Sequence, residues 1–348
     1  MVTQTLQRLV LKHDLSRAEA ASLMESLMQG EATDAQIGGL LVALRMKGET
    51  VSEVAGFAET MRAHAVPVRP RRTPLLDTCG TGGGSFRVFN VSTAAAFVAA
   101  AAGVAVAKHG NRAASGICGS ADVLEALGVR VDISPELCAE CIDELGIGFL
   151  FARSHHPAMR HVSVARREIG VRSVFNLLGP LTNPAGASLQ VMGVYDGALC
   201  PLVIGALKEL GSNRALVIHS EPGFDELSTF SMGRICELRD GVITDRTVTP
   251  QDLGVDGPSP DVSVFAPAQN PSDNADILRQ SLGYGPSTDT ATARRALVAL
   301  NASAALIVAG LADSWVDAST RAWEIISAGT ALTIVEKLAA LTSAGRPV

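Results

Sequence analysis

The sequence is poor in aromatic residues, which make up 4% of it: two Trp, two Tyr and ten Phe in 348 residues. That scarcity, with abundant Ala and Gly, favours closely packed helices and strands over an aromatic-rich binding face. Positive charge is also in short supply. The formal net charge is −6 and no run of like charges occurs, so the basic footprint of a nucleic-acid binder is missing. A site for an anionic substrate must then be local. Six cysteines, at 79, 118, 138, 141, 200 and 236, follow no framework spacing. Cys138-Ala-Glu-Cys141 is a lone CxxC within a helical pattern, read as two thiols on one helical face and not as a metal or redox centre. Residues Met1 to His13 lack the apolar core of a signal peptide, and the apolar run 94–107 is too short to span a bilayer. A soluble, cytoplasmic protein is expected.

What is present is a large apolar fraction, 47%, enough for a sizeable core. The first 65 residues read as helices. Ser16…Glu19, Thr33…Gln36 and Thr50…Glu53 each carry the capping-box spacing, and apolar residues follow at helical intervals, as in Ile37, Leu40, Leu41 and Leu44. A Pro- and Arg-rich linker, 67–72, ends this segment. Beyond it the pattern changes to alternating strands and helices. Strands are expected at 74–77, 104–106, 189–194 and 215–219, with helices at 92–102 and 291–311. The expected architecture is α/β: a small N-terminal all-helical domain, 1–66, joined by helices from about 155–184, and a larger α/β domain, 70–348, with a central mixed sheet.

Four stretches carry chemistry. Asp77-Thr78-Cys79-Gly80-Thr81-Gly82-Gly83-Gly84 lies between a strand and a helix, where glycine amides and a helix N-terminus can receive a phosphate. It fits neither the dinucleotide GxGxxG nor a P-loop; a tight structural turn is the alternative. Lys108-His109-Gly110-Asn111-Arg112, read as directly after a strand, suits a flexible loop gripping phosphate, with Ser115-Gly116 and Gly119-Ser120-Ala121-Asp122 following. Asp225-Glu226, in a turn after the strand ending at His219, can hold Mg²⁺, which takes few protein ligands. His155-His156-Pro157, with His161, Arg166 and Arg167, lacks metal-ligand spacing and is read as structural or facing substrate.

Taken together, these stretches resemble the anthranilate phosphoribosyltransferases. The resemblance is carried by Gly80-Thr81-Gly82-Gly83, Phe89-Asn90-Val91-Ser92-Thr93, Lys108 to Arg112, Gly119 to Asp122, Phe175 to Pro184 and Asp225-Glu226. It implies a fold of the nucleoside phosphorylase and phosphoribosyltransferase type, a homodimer, and transfer of a phosphoribosyl group from phosphoribosyl pyrophosphate to the amine of anthranilate, in tryptophan biosynthesis. Phosphoribosyl pyrophosphate would be held by Gly80, Gly83, Gly84, Val88, Asn90, Val91, Ser92, Thr93, Lys108, Gly110, Asn111, Arg112, Ser115, Gly116 and Ser120. Anthranilate would meet Gly80, His109, Asn111 and Arg166, with His109 near the acceptor and no certain catalytic group. Mg²⁺ would sit on Ser92, Asp225 and Glu226. The sequence departs from the family pattern at Gly84, where Asp is usual, at Val88, where a hydroxyl is usual, and at Ile117 and Cys118, where Lys and Ser are common. The other readings are a pyrimidine nucleoside phosphorylase of the same fold, or a catalytically silent nucleotide-binding paralogue.

Overall fold

The computed structural model describes residues 1–113, 118–256 and 260–344. Ser115, Gly116 and Ile117 lie outside them. The chain opens with four helices, α1 (Val2–Val10), α2 (Arg17–Met28), α3 (Asp34–Lys47) and α4 (Val51–Ala63). All three capping boxes form: Ser16, Thr33 and Thr50 accept from the amides of Glu19, Gln36 and Glu53, and each of those side chains returns a bond to the cap backbone. The Glu53 box does more than cap. Its carboxylate is fully buried and also accepts from the Leu15 amide at 2.9 Å and from the buried Lys47 ammonium at 2.9 Å, which locks α4 to the α1–α2 turn.

After the linker come β1 (Leu75–Gly80), α5 (Val91–Ala101), β2 (Ala105–Gly110), α6 (Ser120–Ala126), α7 (Pro135–Leu145) and β3 (Ile147–Phe151). Cys138 and Cys141 are both buried on α7. Three helices follow, α8 (Ala152–His155), α9 (Arg160–Ile169) and α10 (Phe175–Leu181). The chain then re-enters the sheet with β4 (Leu189–Gly193), α11 (Cys200–Glu209), β5 (Arg214–Ser220), β6 (Gly233–Arg239) and β7 (Val242–Val248). It ends in α12 (Pro271–Ser281), α13 (Asp289–Val308), α14 (Trp315–Ser327) and α15 (Thr330–Ala344). Strand order is β3-β2-β1-β4-β5-β6-β7, the first five parallel and the last two antiparallel.

Successive strand residues face opposite layers, as the pleat requires. On β4 and β5, Leu189, Val191, Leu216 and Ile218 face the core shared with α5 and α13, while Met192, Val194, Ala215 and Val217 face a second core. That second core contains α11, the four N-terminal helices, and Val162, Ala165, Phe175, Leu178 and Leu181 of α9 and α10. Helices α9 and α10 therefore pack on α2, α3 and α4. The chain crossing is fixed by backbone bonds from Val66 N–H to the His155 carbonyl, 2.8 Å, and from Val68 N–H to the Pro184 carbonyl, 3.1 Å. Helix α13 is long and apolar enough by composition to cross a membrane, yet 72% of its most apolar stretch is buried against its neighbours.

Candidate active site

From β1 the chain runs outward through β2 to β3, then returns to place β4 on the other side of β1. Such a reversal opens a crevice at the carboxyl ends of the parallel strands. Both strands end here in glycine, Gly80 paired with Gly193. The reason is contact with the 225–226 turn. A β-carbon on Gly80 would approach the Asp225 carboxylate to 2.7 Å, and one on Gly193 would overlap the Asp225 carbonyl. The acidic turn therefore lies directly over the switch point. It is anchored by a residue the sequence reading missed: Asn301, buried in α13, accepts from the Leu227 amide and donates to the Leu227 carbonyl, both at 2.9 Å.

The two carboxylates hold the glycine loop and α5. Asp225 accepts from the Gly82 amide at 2.9 Å, and Glu226 from the Ser92 amide at 3.1 Å, in the first turn of α5. Gly82 and Gly83 have φ of 62° and 77°, in the left-handed region glycine favours. Burial raises the pKa of Asp225. Burial first, then the neighbouring Asp225, pushes Glu226 up to about 8, against the pull of Lys108 and the Ser92 amide. A narrow cavity bounded by Thr78, Ser92, Gly193, Glu226 and Asn301 lies between these groups.

The expectation of a flexible loop at Lys108 needs correcting. Lys108, His109 and Gly110 are the last three residues of β2, and Lys108 and His109 are buried. The Lys108 ammonium donates to the Thr78 carbonyl at 2.6 Å. Burial lowers its pKa, opposed by Asp77 and, more weakly, Cys79 and Glu226. Asp77 is fully buried and accepts from the His109 amide, 3.1 Å, and from the Asn183 amide group, 2.8 Å. Burial pushes Asp77 up to about 6 despite these partners. A charged residue ending a strand reads as loop; its compensating carboxylate stands 31 residues earlier in the chain.

The remaining candidates separate by position. Asn90 donates to the Cys118 carbonyl at 3.2 Å. Val91 and Thr93 are buried, and Val88 packs on the core, so none of the three turns its side chain freely outward. Gly110 lies against Ser120 and the Phe149 ring, leaving no room for a β-carbon. The Asn111 side chain accepts from the Arg112 amide at 2.8 Å, and its carbonyl accepts from the Ser120 hydroxyl at 3.2 Å. Arg112 is not a free cation: its guanidinium bonds Asp122 at 3.1 Å and Glu125 at 2.5 Å and stands 5.6 Å over the Phe151 ring. At Gly84 the volume a carboxylate side chain would need is filled by the Gly223 carbonyl, which a β-carbon would overlap. The departure at position 84 thus accompanies a close backbone approach to the 222–224 turn.

On the helical side, the Arg166 guanidinium lies 4.7 Å over the Phe175 ring, and among the described residues it has no carboxylate partner. His109 and His156 face each other with ring centroids 5.1 Å apart, and the Nε2 of each is buried without a partner. Burial, reinforced by neighbouring imidazoles, lowers their pKa values to about 3 and about 4, so both are neutral at pH 7. His155 bonds the Val66 carbonyl at 3.0 Å. Among the described residues no group of three His, Cys, Asp or Glu side chains is arranged to hold a metal ion; Asp225-Glu226 is a pair.

Residues 72–332 match the glycosyl transferase family, a/b domain, and residues 3–65 its helical bundle domain. The chain is 47% identical over 345 residues to an anthranilate phosphoribosyltransferase of Methanocorpusculum labreanum, covering 98% of each protein. It is 49% identical over 343 residues to that of Myxococcus xanthus, again covering 98% of each. The crystal structure of anthranilate phosphoribosyltransferase from Thermus thermophilus superposes with a TM-score of 0.90 at 44% identity, covering 97% of this chain and 99% of that one. The Saccharomyces cerevisiae enzyme in complex with PRPP (phosphoribosyl pyrophosphate) and Mg superposes with a TM-score of 0.85 at 25% identity, covering 99% and 98%.

Proposed function

We propose a mechanism from the premise that this chain belongs to the anthranilate phosphoribosyltransferase family. Its reaction is transfer of the phosphoribosyl group of phosphoribosyl pyrophosphate to the anthranilate amine, with release of pyrophosphate, in tryptophan biosynthesis. The observation that carries the reading onto this chain is the meeting of glycine loop, α5 N-terminus, Lys108 and acidic turn over the β1–β4 switch point. That combination suits a polyanion held with a divalent cation.

Phosphoribosyl pyrophosphate is assigned to Gly80, Gly83, Gly84, Val88, Asn90, Val91, Ser92, Thr93, Gly110, Asn111 and Ser120, through backbone amides wherever the side chain is buried; Ser115 and Gly116 lie outside the described residues. Lys108 acts from below, as a buried positive charge fixed on the Thr78 carbonyl. Arg112 would reach a phosphate only by leaving Asp122 and Glu125. Mg²⁺ fits Ser92, Asp225 and Glu226: the two carboxylates are crowded together and neither forms a salt bridge among the described residues. Two carboxylates and a hydroxyl leave the rest of the shell to water and substrate oxygens. The bound ion would offset charge on the departing pyrophosphate.

Anthranilate is assigned to the junction with α9 and α10, beside Gly80, His109 and Asn111, with its carboxylate on Arg166. Neutral imidazoles at 109 and 156 cannot supply positive charge, which leaves that role to the guanidinium. The aniline nitrogen is neutral at pH 7, so displacement at the ribose C1 needs no protein nucleophile, and positioning of the two substrates does most of the work. With a helical domain at 1–66, joined by 155–184, and an α/β domain from 70 onward, the acceptor is assigned to the seam between them. A cytoplasmic homodimer completes the proposal; exposed Val10, Leu11 and Met46 on the N-terminal helices offer apolar surface for it. The test follows anthranilate fluorescence with each of phosphoribosyl pyrophosphate, Mg²⁺ and protein omitted in turn. Signal loss only in the complete mixture is expected; none, with folded protein, overturns the reading.

A further inference from the structure

We infer that Arg172 is a positioning residue that ties the phosphate-binding glycine loop to the acceptor-side helices, so that the two halves of the site are set together. The inference rests on the donor and acceptor assignments above. Arg172 stands in the short connection between α9 and α10, six residues after Arg166 of α9 and three residues before Phe175 of α10. Its guanidinium lies 4.1 Å from the centroid of the Tyr195 ring, just beyond the end of β4, and its Nη2 donates to the Gly83 carbonyl. Tyr195 belongs to the same frame: its amide donates to the Thr81 hydroxyl at 3.1 Å, and the Thr81 amide donates to the Gly193 carbonyl at 2.9 Å.

The loop is thus held at two adjacent residues by opposite charges, the Gly82 amide on the Asp225 carboxylate and the Gly83 carbonyl on the Arg172 guanidinium. In a trans peptide the carbonyl and the following N–H point in opposite directions. Fixing the Gly83 carbonyl on Arg172 therefore fixes the Gly84 N–H away from it. That amide donates to no protein group among the described residues, the condition of a donor kept for an anion. Arg172 makes no ion pair among the described residues, so besides its stacking on Tyr195 the Gly83 carbonyl is its one hydrogen-bond partner among them. Movement of the 166–175 stretch on the acceptor side would carry the guanidinium, and with it the loop.

The test uses the full chain with Arg172→Ala, Arg172→Lys and Tyr195→Leu, measuring kcat, KM for each substrate at saturating Mg²⁺, Tm, and calorimetric binding of magnesium pyrophosphate. For Arg172→Ala, a rise of about tenfold in KM for phosphoribosyl pyrophosphate is expected, the lower end for losing a charged hydrogen bond. A smaller fall in kcat and a nearly unchanged Tm should accompany it. Lysine at 172 keeps the charge and a donor but not the planar stack, so it should recover part of the loss, and Tyr195→Leu should lose part of it. Arg172→Ala with wild-type KM values and wild-type pyrophosphate binding overturns the inference. A wild-type protein that does not turn over defeats the parent reading instead; magnesium pyrophosphate binding then decides, and equal affinity in wild type and Arg172→Ala overturns the positioning role.

Discussion

Neutral histidines at the junction between the two layers contribute a share of this protein's stability that mild acid removes. His109 and His156 are buried, face each other at 5.1 Å, and are held at about 3 and about 4. In the unfolded chain each would titrate near 6.5. Between those limits the unfolded state binds protons that the folded state refuses, so the histidine share of the stability is full above about pH 6.5 and falls as the pH drops toward the folded values. From pH 7.5 to pH 5, one such group costs about 1.5 units of linkage, roughly 2 kcal/mol, and the pair about 4. Carboxylates move too: Glu226 and Asp77, raised by burial, gain stability on acidification, and Glu19 and Asp122, lowered, lose it. The histidine share is isolated by difference. Wild type and His156→Phe are compared in denaturant at pH 7.5 and pH 5, read by fluorescence. The variant should lose about 2 kcal/mol less than wild type over that interval. Parallel changes in the two proteins, or an assigned His109 or His156 ring signal titrating near 6.5 in the native state, would refute the buried neutral pair.

Two further outcomes bear on the site. Arg166→Ala should reduce kcat/KM for anthranilate by about 1.5–3 kcal/mol, the value of a charged hydrogen bond, while KM for phosphoribosyl pyrophosphate stays within twofold; the reverse pattern removes Arg166 from the acceptor. Gly84→Ala, a single β-carbon against the Gly223 carbonyl, should destabilise by about 1–3 kcal/mol, and Gly84→Asp should show the same loss together with an altered Mg²⁺ dependence. An Ala variant as stable as wild type in thermal denaturation would show that the 222–224 turn yields freely.

Much of this architecture is legible because its causes are local. An N-cap is three residues of chemistry, so Ser16, Thr33 and Thr50 mark helix starts without reference to the rest of the chain. Strand β1 and helix α5 announce themselves through an apolar run, a glycine cluster and a small-residue stretch. Other elements have causes that are not local. The sequence reading passed over β3, a short apolar run following α7 with no turn signal except Gly146. It also passed over β6 and β7, because β7 is exposed at six of its seven positions and so shows no alternation. Lys108 reads as loop for the same kind of reason. Only the fold reveals that Thr78 supplies its acceptor and Asp77 its counter-charge.

The supports of the site were the least legible part, and they share a feature. Asn183, Asn301 and Arg172 each bond backbone or carboxylate groups from a distant stretch of chain: Asn183 reaches Asp77 and the Ala107 carbonyl, Asn301 the Leu227 backbone, Arg172 the Gly83 carbonyl. Two are single amides: Asn183, just after α10, lies in a stretch that carries the resemblance but gives no sign of its partner, and Asn301 sits inside an alanine-rich helix where sequence pattern marks nothing. Their effect is to fix main chain, and main chain does much of the holding here. The glycine loop, the first turn of α5 and the acidic turn are cross-linked by amide-to-carboxylate bonds, Gly82 to Asp225 and Ser92 to Glu226. A divalent cation that drew those carboxylates toward itself would compete with the two amides, freeing backbone donors where the phosphate is proposed to bind. On the proposed assignment, donor and metal would then enter the site more favourably together than either would alone, because each would remove a cost the other meets: the metal would release the amides, and the phosphates would complete a coordination shell that two carboxylates leave open.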